Sequence, residues 1–412
     1  MPASKPKIVC IWELGDELGH VSRLHDIAQK LQPQFDVYFI LKDLSRSHSF
    51  TEGTDITVFQ APVWLPKMRM QRPIACLADT LLLKGYLEAN TLHSLVTSWR
   101  NLLALIQPNL IIFDYAPTAM LAALDLSIPK ISIGTGFADP APGHPIADWR
   151  ALSTGQPQQQ GDQLIAQQET NVLNSINAVG KKLGFPALTR LSDLFQNTHT
   201  LLNTYPCFDL YASQRSAPGA TTQVQYCLTP LTSNHQKKAH FPDSANQKVL
   251  AYLKPHHPQF PQLIEALALC KSHCIVACPF PHAKEFKKHE NPTLQIHFEL
   301  IDLIDGLEQA DVFIGHGNMS SICESLQLHT PTMVLPIQLE QLITGKNVVK
   351  NAVGEMEVKI ESPQALADKI DALAQNTTLK QNAAQFSKRF ESQLSAPLPE
   401  TVAELCEQAL LA

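Results

Sequence analysis

Two stretches near the C-terminal third carry residue types whose spacing suits a defined chemistry. The first is Ala310 to Glu324, where the apolar run Asp311–Ile314 ends in Gly315-His316-Gly317-Asn318-Met319-Ser320-Ser321. A strand that ends in a Gly/His/Ser loop and opens a helix gathers unpaired N–H groups and the positive end of the helix dipole at one place, which suits an anion. Gly317 lets backbone approach a phosphate closely, Ser320 and Ser321 add hydroxyl donors, and His316 can donate a further hydrogen bond. Glu324 follows about one turn later, where a carboxylate can accept from a diol such as a ribose. Read alone, an ordinary helix cap at Ser320 accounts for this stretch equally well. The second stretch is Thr330 to Gln341, a strand bounded by Pro331 and Pro336 and followed by Glu340-Gln341. A carboxylate beside an amide offers several acceptors and two donors to sugar hydroxyls. As an isolated dipeptide it reads more readily as a solvated turn.

The elements that must position these residues follow from apolar patterning. Ile8–Trp12 is a short continuous apolar run, Val21 to Leu31 has helical spacing, and Val37–Leu41 is the next apolar run. Strand, glycine-containing turn, helix and strand make a βαβ unit and imply a parallel sheet. Leu110–Phe113 and Ile131–Ile133 read as further strands, Leu77–Ile106, Pro117–Leu126 and Leu164–Leu183 as helices, and the proline-rich segment 137–161 as a long loop. A second α/β pattern has strands at Lys248–Leu253, Cys274–Cys278, Asp311–Ile314 and Met333–Leu335. Its helices fall at Phe260–Leu269, Ser320–Leu328 and Pro363–Leu373. The expected organisation is an N-terminal Rossmann-like domain over 1–217 and a linker with one short strand over 218–246. A C-terminal Rossmann-like domain over 247–390 and a helix over 391–412 returning towards the first domain complete it. In such open sheets ligands bind beyond the carboxyl ends of the strands, so both sets of loops are expected to face a central cleft.

Composition removes other classes. Of 412 residues, 44% are hydrophobic and 17% charged, with a net charge of −6. That composition suits folded cores rather than a disordered chain. Neither half is basic, which argues against a partner held by phosphate neutralisation along nucleic acid. Nine cysteines, mostly in apolar segments, read as reduced core thiols of a cytoplasmic protein. Cys270, Cys274 and Cys278 straddle an expected helix-to-strand break near His273, so no metal site is expected there. No secretory leader and no membrane span are expected from the hydropathy.

The two stretches together, over residues 310–354, resemble the donor-binding segment of family 1 glycosyltransferases of the GT-B fold. The resemblance rests on His316-Gly317, Ser320-Ser321, Glu324, Pro331, Pro336 and Glu340-Gln341. It implies that His316 and the small residues meet a diphosphate, Glu324 a ribose, and Glu340 and Gln341 the sugar. Asn318 and Ser320 stand where bacterial members usually have glycine, and Asp16-Glu17 stand in a loop often glycine-rich in relatives. The first strand of the second domain ends Leu253-Lys254-Pro255 in place of a small Gly/Ser pair, and Lys254 is expected either to reach phosphate or, the favoured reading, to be solvated. Gly19-His20 opens the first helix as the family's Gly-His does, and Asp114 matches the aspartate that orients it. Imidazole titrates near neutrality and can take the acceptor's proton, while the carboxylate fixes its tautomer. Asp114-Tyr115-Ala116-Pro117-Thr118 and Gly134-Thr135-Gly136-Phe137 extend the resemblance to a little-characterised bacterial branch.

The implied function is a metal-independent, inverting transfer of a hexose from a UDP- or dTDP-sugar, with no other cofactor, to a hydroxyl of a small or lipid-like acceptor. Trp64, Met68 and His144 are the acceptor candidates, in loops that mix aromatic, apolar and cationic residues and suit a peripheral contact with the inner face of a membrane. A hydrolysing nucleotide-sugar epimerase of the same fold and a catalytically silent nucleotide-sugar-binding protein are the rival readings.

Overall fold

The computed structural model describes residues 5–15, 19–154, 162–217, 224–232, 237–243 and 247–411. The Asp16-Glu17 pair and much of the expected linker lie outside these residues. The chain divides into two compact units, Met1–Thr229 with Leu394–Ala412, and Pro230–Gln393.

Among the described residues, the first unit holds a seven-stranded parallel sheet. In chain order the strands are β1 (Lys7–Trp12), β2 (Asp36–Leu41), β3 (Thr57–Gln60), β4 (Leu110–Asp114), β5 (Lys130–Gly134), β6 (His199–Leu202) and β7 (Val224–Tyr226). In space they run β3-β2-β1-β4-β5-β6-β7. Strand β1 is apolar and buried on both faces. Ile8, Cys10 and Trp12 join the cluster of Val21, Leu24 and Ile27, which come from helix α1 (Gly19–Leu31). The next helix at a strand end is α2 (Pro117–Ala122), started by a proline in its first turn.

The second unit holds a six-stranded parallel sheet built from β8 (Lys248–Tyr252), β9 (His273–Ala277), β10 (Leu294–His297), β11 (Val312–Gly315), β12 (Thr332–Val334) and β13 (Gly354–Met356). Its order is β10-β9-β8-β11-β12-β13. Period-two alternation splits β8, with Val249 and Ala251 packing on one face and Leu250 on the other. Helix α3 (Met319–Gln327) follows β11, and α4 (Leu339–Lys350) follows β12.

Both sheets reverse their strand order at one place, between β1 and β4 in the first and between β8 and β11 in the second. The carboxyl ends of the strands on either side of such a reversal leave a crevice, because their connecting helices depart in opposite directions. His20 and Asp114 lie at the first reversal, and Lys254 and His316 at the second.

Three expectations on organisation are corrected. β7, expected inside the linker, pairs with β6 and is the edge strand of the first sheet. A three-residue strand satisfies its backbone only by such pairing. The segment 77–106, expected as one helix, breaks at Gly85, whose φ of 96° no helix accommodates, leaving Leu77–Leu81 and Ala89–Ile106. Lys254, expected in solvent, is buried.

The chain re-enters the first unit at Leu394, which bridges to Tyr226, and Ser395 N–H donates to the Tyr226 carbonyl at 2.8 Å. Helix α5 (Leu398–Leu410) then packs Leu398, Val402 and Cys406 into the same cluster as α1.

Candidate active site

In the first unit the parallel register places Trp12, the last residue of β1, beside Asp114, the last of β4. His20, in the first turn of α1, sets its Nδ1 2.7 Å from Asp114 Oδ1. Arg23, one turn further along α1, donates to the same carboxylate through Nε at 3.0 Å and Nη2 at 2.7 Å. Arg23 and Asp114 are both buried, and the histidine side chain keeps 17% of its exposure. Burial pushes the Asp114 carboxyl up, but the Arg23 guanidinium and His20 more than offset it and hold the group below the ordinary carboxylate range.

That arrangement fixes the histidine's tautomer. The Arg23 guanidinium has only donors and stands 3.3 Å from Nδ1, so it cannot receive a hydrogen from the imidazole. Nδ1–H donates to Asp114, which leaves the lone pair on Nε2. The ring stacks on Trp12, with centroids 5.6 Å apart, and Nε2 looks onto Gly15. A Cβ at Gly15 would lie 2.4 Å from Nε2, and Gly15 has φ +84°, so the position needs glycine on both counts. No described group is hydrogen-bonded to Nε2. Tyr115, directly after Asp114, holds a left-handed φ of 47° and its carbonyl accepts from Leu14 N–H at 3.0 Å, tying the two loops together. A non-glycine residue in that region costs roughly 1 kcal/mol.

Glu13 completes this end of the sheet. It is buried and accepts from the Thr118 and Ala119 N–H groups at 2.8 and 3.3 Å, at the start of α2. Burial pushes its carboxyl up to about 7, although those hydrogen bonds act the other way.

In the second unit His316 stands at the end of β11 and is buried. Its Nε2 accepts from Lys254 N–H at 2.9 Å, and its Nδ1 lies 2.9 Å from the Leu335 carbonyl, to which Nδ1–H donates. Both nitrogens are therefore used within the unit, pinning the loops after β8, β11 and β12 to one another. Burial lowers the imidazole to about 4, so the ring is neutral at ordinary pH. The expectation that His316 offers a hydrogen bond to phosphate is corrected: it is a strut. His257 stacks on it, with ring centroids 5.6 Å apart.

Gly317 has φ +95°, and a Cβ there would meet Val334 at 2.8 Å and the Gln341 carbonyl at 3.0 Å. Gln341 is also corrected. Its side chain is buried, its oxygen accepts from Ile337 N–H at 2.8 Å, and its amide donates to Asn318 at 2.9 Å. It caps α4 and holds the loop, so its oxygen and one of its two amide hydrogens are committed within the unit. The same contact turns the Asn318 side chain away from α3, where the N-cap position makes no side-chain cap bond. The first intrahelical bond is Ile322 N–H to Asn318 O, at 3.1 Å. The N–H groups of Ser320 and Ser321 precede it and have no intrahelical acceptor. Ser320, Ser321 and Glu324 are half-buried on α3, and Glu340 is half-buried in the first turn of α4.

The acceptor candidates lie on two loops, Trp64 and Met68 on one and His144 on the other. Trp64 packs near Gly85, where a Cβ would lie 3.5 Å from its ring, Met68 is exposed, and His144 is half-buried with its carbonyl accepting from Ser192 Oγ at 2.6 Å. Among the described residues no hydrogen bond or ring contact joins them to His20. Sequence reasoning missed Arg23, Gly15, Glu13 and His257. The i, i+3 spacing of His20 and Arg23 on a helix was the available signal for the first.

The model of the glycosyltransferase family 28 C-terminal domain matches residues 276–396. The zeaxanthin glucosyltransferase of Pantoea ananas is 26% identical over 93 residues, 22% of each chain. The match thus spans about a fifth of that relative, and 27% and 32% of the next two curated relatives. The glycosyltransferase of kitacinnamycin superposes with a TM-score of 0.70 at 18% identity, covering 99% of this chain and all of that one. The glycosyltransferase VinC, solved with dTDP, superposes at 0.64 with 15% identity, covering 98% and 100%. The fold is GT-B. The curated likenesses are confined to part of the chain, and the structural ones extend over the whole fold.

Proposed function

We propose that the chain is an inverting, metal-independent glycosyltransferase that moves a hexose from a UDP- or dTDP-sugar to a hydroxyl of a small or lipid-like acceptor. The observation that carries this reading is the His20–Asp114 pair, with Nδ1 committed to the carboxylate and Nε2 without a hydrogen-bond partner among the described residues. In the proposed step Nε2 takes the hydroxyl proton as the acceptor oxygen bonds to the anomeric carbon. The bond from that carbon to the diphosphate breaks, and its electron pair leaves with the nucleoside diphosphate. Asp114 stabilises the imidazolium so formed. The charge on the leaving diphosphate is met by the Ser320 and Ser321 N–H groups and hydroxyls and the dipole of α3. Glu324 is assigned to the ribose and Glu340 to the sugar.

The relatives support the substrate classes. One is named for glucosyl transfer to zeaxanthin, another as a UDP-glucosyltransferase, and a structural neighbour was solved with dTDP. Trp64, Met68 and His144 are proposed to line the acceptor's path.

A thermal-shift panel of UDP, dTDP, GDP and CDP, with and without sugars, tests the donor assignment. A ligand at about 100 times its Kd stabilises the folded state by about 2.7 kcal/mol. UDP or dTDP compounds are expected to raise the melting point. No response to any uracil or thymine nucleotide would refute the donor site.

A further inference from the structure

Residues 61–76, between β3 and the helix Leu77–Leu81, form a loop anchored at both ends and exposed in the middle. At one end Ala61 N–H donates to Leu41 O at 2.9 Å. At the other, Arg72 clamps buried Asp79 through both terminal nitrogens at 2.7 and 2.6 Å, and Ala75 N–H joins the same carboxylate at 2.7 Å. Ala75 O in turn accepts from Trp149 N–H at 2.8 Å. Between these anchors Leu65 is 81% exposed, and Met68 and Ile74 are exposed beside it in sequence.

The charge on this loop is one-sided. No carboxylate occurs between Asp55 and Asp79, and the cations are Lys67, Arg69 and Arg72. Arg72 is spent on Asp79. Lys67 and Arg69 are exposed, and neither has an ion-pair partner among the described residues. A chain of net charge −6 is repelled as a whole from an anionic surface. An approach must therefore use a local patch of the opposite sign, and this loop supplies one. Exposed apolar side chains flanked by unpaired cations match the boundary of an anionic bilayer, with the former entering the acyl edge and the latter resting on lipid phosphates.

We propose that this loop is a docking surface for anionic phospholipid, with Leu65 and Ile74 inserting and Lys67 and Arg69 on the headgroups. The proposal does not depend on the transferase reading, although it would bring a lipid-like acceptor to the unit that carries His20.

Co-sedimentation of the full chain with vesicles of phosphatidylcholine, with and without phosphatidylglycerol, tests it directly. Binding is expected only to the anionic vesicles and should weaken as salt rises. The double substitution Lys67→Ala/Arg69→Ala is expected to weaken it by about 30-fold, at roughly fivefold for each cation lost. Leu65→Ser is expected to weaken it about tenfold or more. Tryptophan-monitored melting checks that each variant is folded. Absent wild-type binding to anionic vesicles, or wild-type affinity in the double variant, overturns the proposal. So does an effect of Leu65→Ser on turnover of a soluble acceptor with vesicle binding unchanged, which would make the loop an acceptor cover.

Discussion

Replacing His316 by glutamine separates the strut from its charge. Glutamine can accept from Lys254 N–H and donate to Leu335 O, but it stays neutral at every pH. In the wild type, burial lowers His316 from the ordinary 6.5 to about 4. The neutral ring therefore contributes stability that is fully present above pH 6.5 and is lost as pH falls towards 4. A difference of about 2.5 pH units corresponds to about 3 kcal/mol. At pH 7 the variant is expected to be less stable by about 1–2 kcal/mol, because its two hydrogen bonds are less well aligned. Between pH 6.5 and 4 that gap should close and reverse, with the wild type losing about 3 kcal/mol relative to the variant. The assay is urea denaturation followed by far-UV circular dichroism. All four tryptophans, at 12, 64, 99 and 149, lie in the first unit, so their fluorescence reports that unit separately. His257 and His297 are also lowered by burial and give a shared background slope in this unit. An identical pH dependence in wild type and His316→Gln would refute the strut.

Three further perturbations act on the first unit. Gly15→Ala places a methyl 2.4 Å from His20 Nε2 and forces a left-handed alanine. Turnover should fall about 100-fold or more, as expected for a displacement near 1 Å, with donor affinity unchanged in calorimetry. Arg23→Met leaves Asp114 buried beside His20 alone and should cost about 3–5 kcal/mol in tryptophan-monitored denaturation. Arg23→Lys should recover only part of it, because an ammonium cannot form the two-pronged contact. Glu13, raised by burial to about 7, contributes stability that is full below its ordinary 4.5 and is lost as pH rises through 7. Glu13→Gln should therefore remove about 3 kcal/mol of pH dependence between pH 4.5 and 8 in the same assay. An unchanged slope would mean that Glu13 is not buried as described.

The strands that carry the site were legible because they are buried on both faces and so read as unbroken apolar runs. β1, β4, β8 and β11 all have this form. The strands at or near the sheet edges, β3, β6, β10 and β13, were not read, because each is only three or four residues long and none is wholly apolar. The helix α4 was missed because its first turn, Leu339-Glu340-Gln341, was assigned to a ligand-contacting turn. The His20–Asp114 pair was legible through resemblance, since Gly19-His20 opens the first helix and the apolar run Leu110–Phe113 leads into Asp114. Its third member, Arg23, was hidden among polar helix residues. At the donor loop the types were read correctly and the contacts were not. Whether His316 meets a ligand or two backbone groups depends on the loop after β8, sixty residues away in the chain, and one chain's spacing carries no information about that pairing.

The central claim is that His20 takes the acceptor's proton. The most direct measurement is kcat for His20→Ala, on an acceptor that the wild type turns over, beside the donor Kd of the same variant. The account predicts a fall of about two to four orders of magnitude in kcat with donor Kd nearly unchanged. Turnover at the wild-type rate would contradict it.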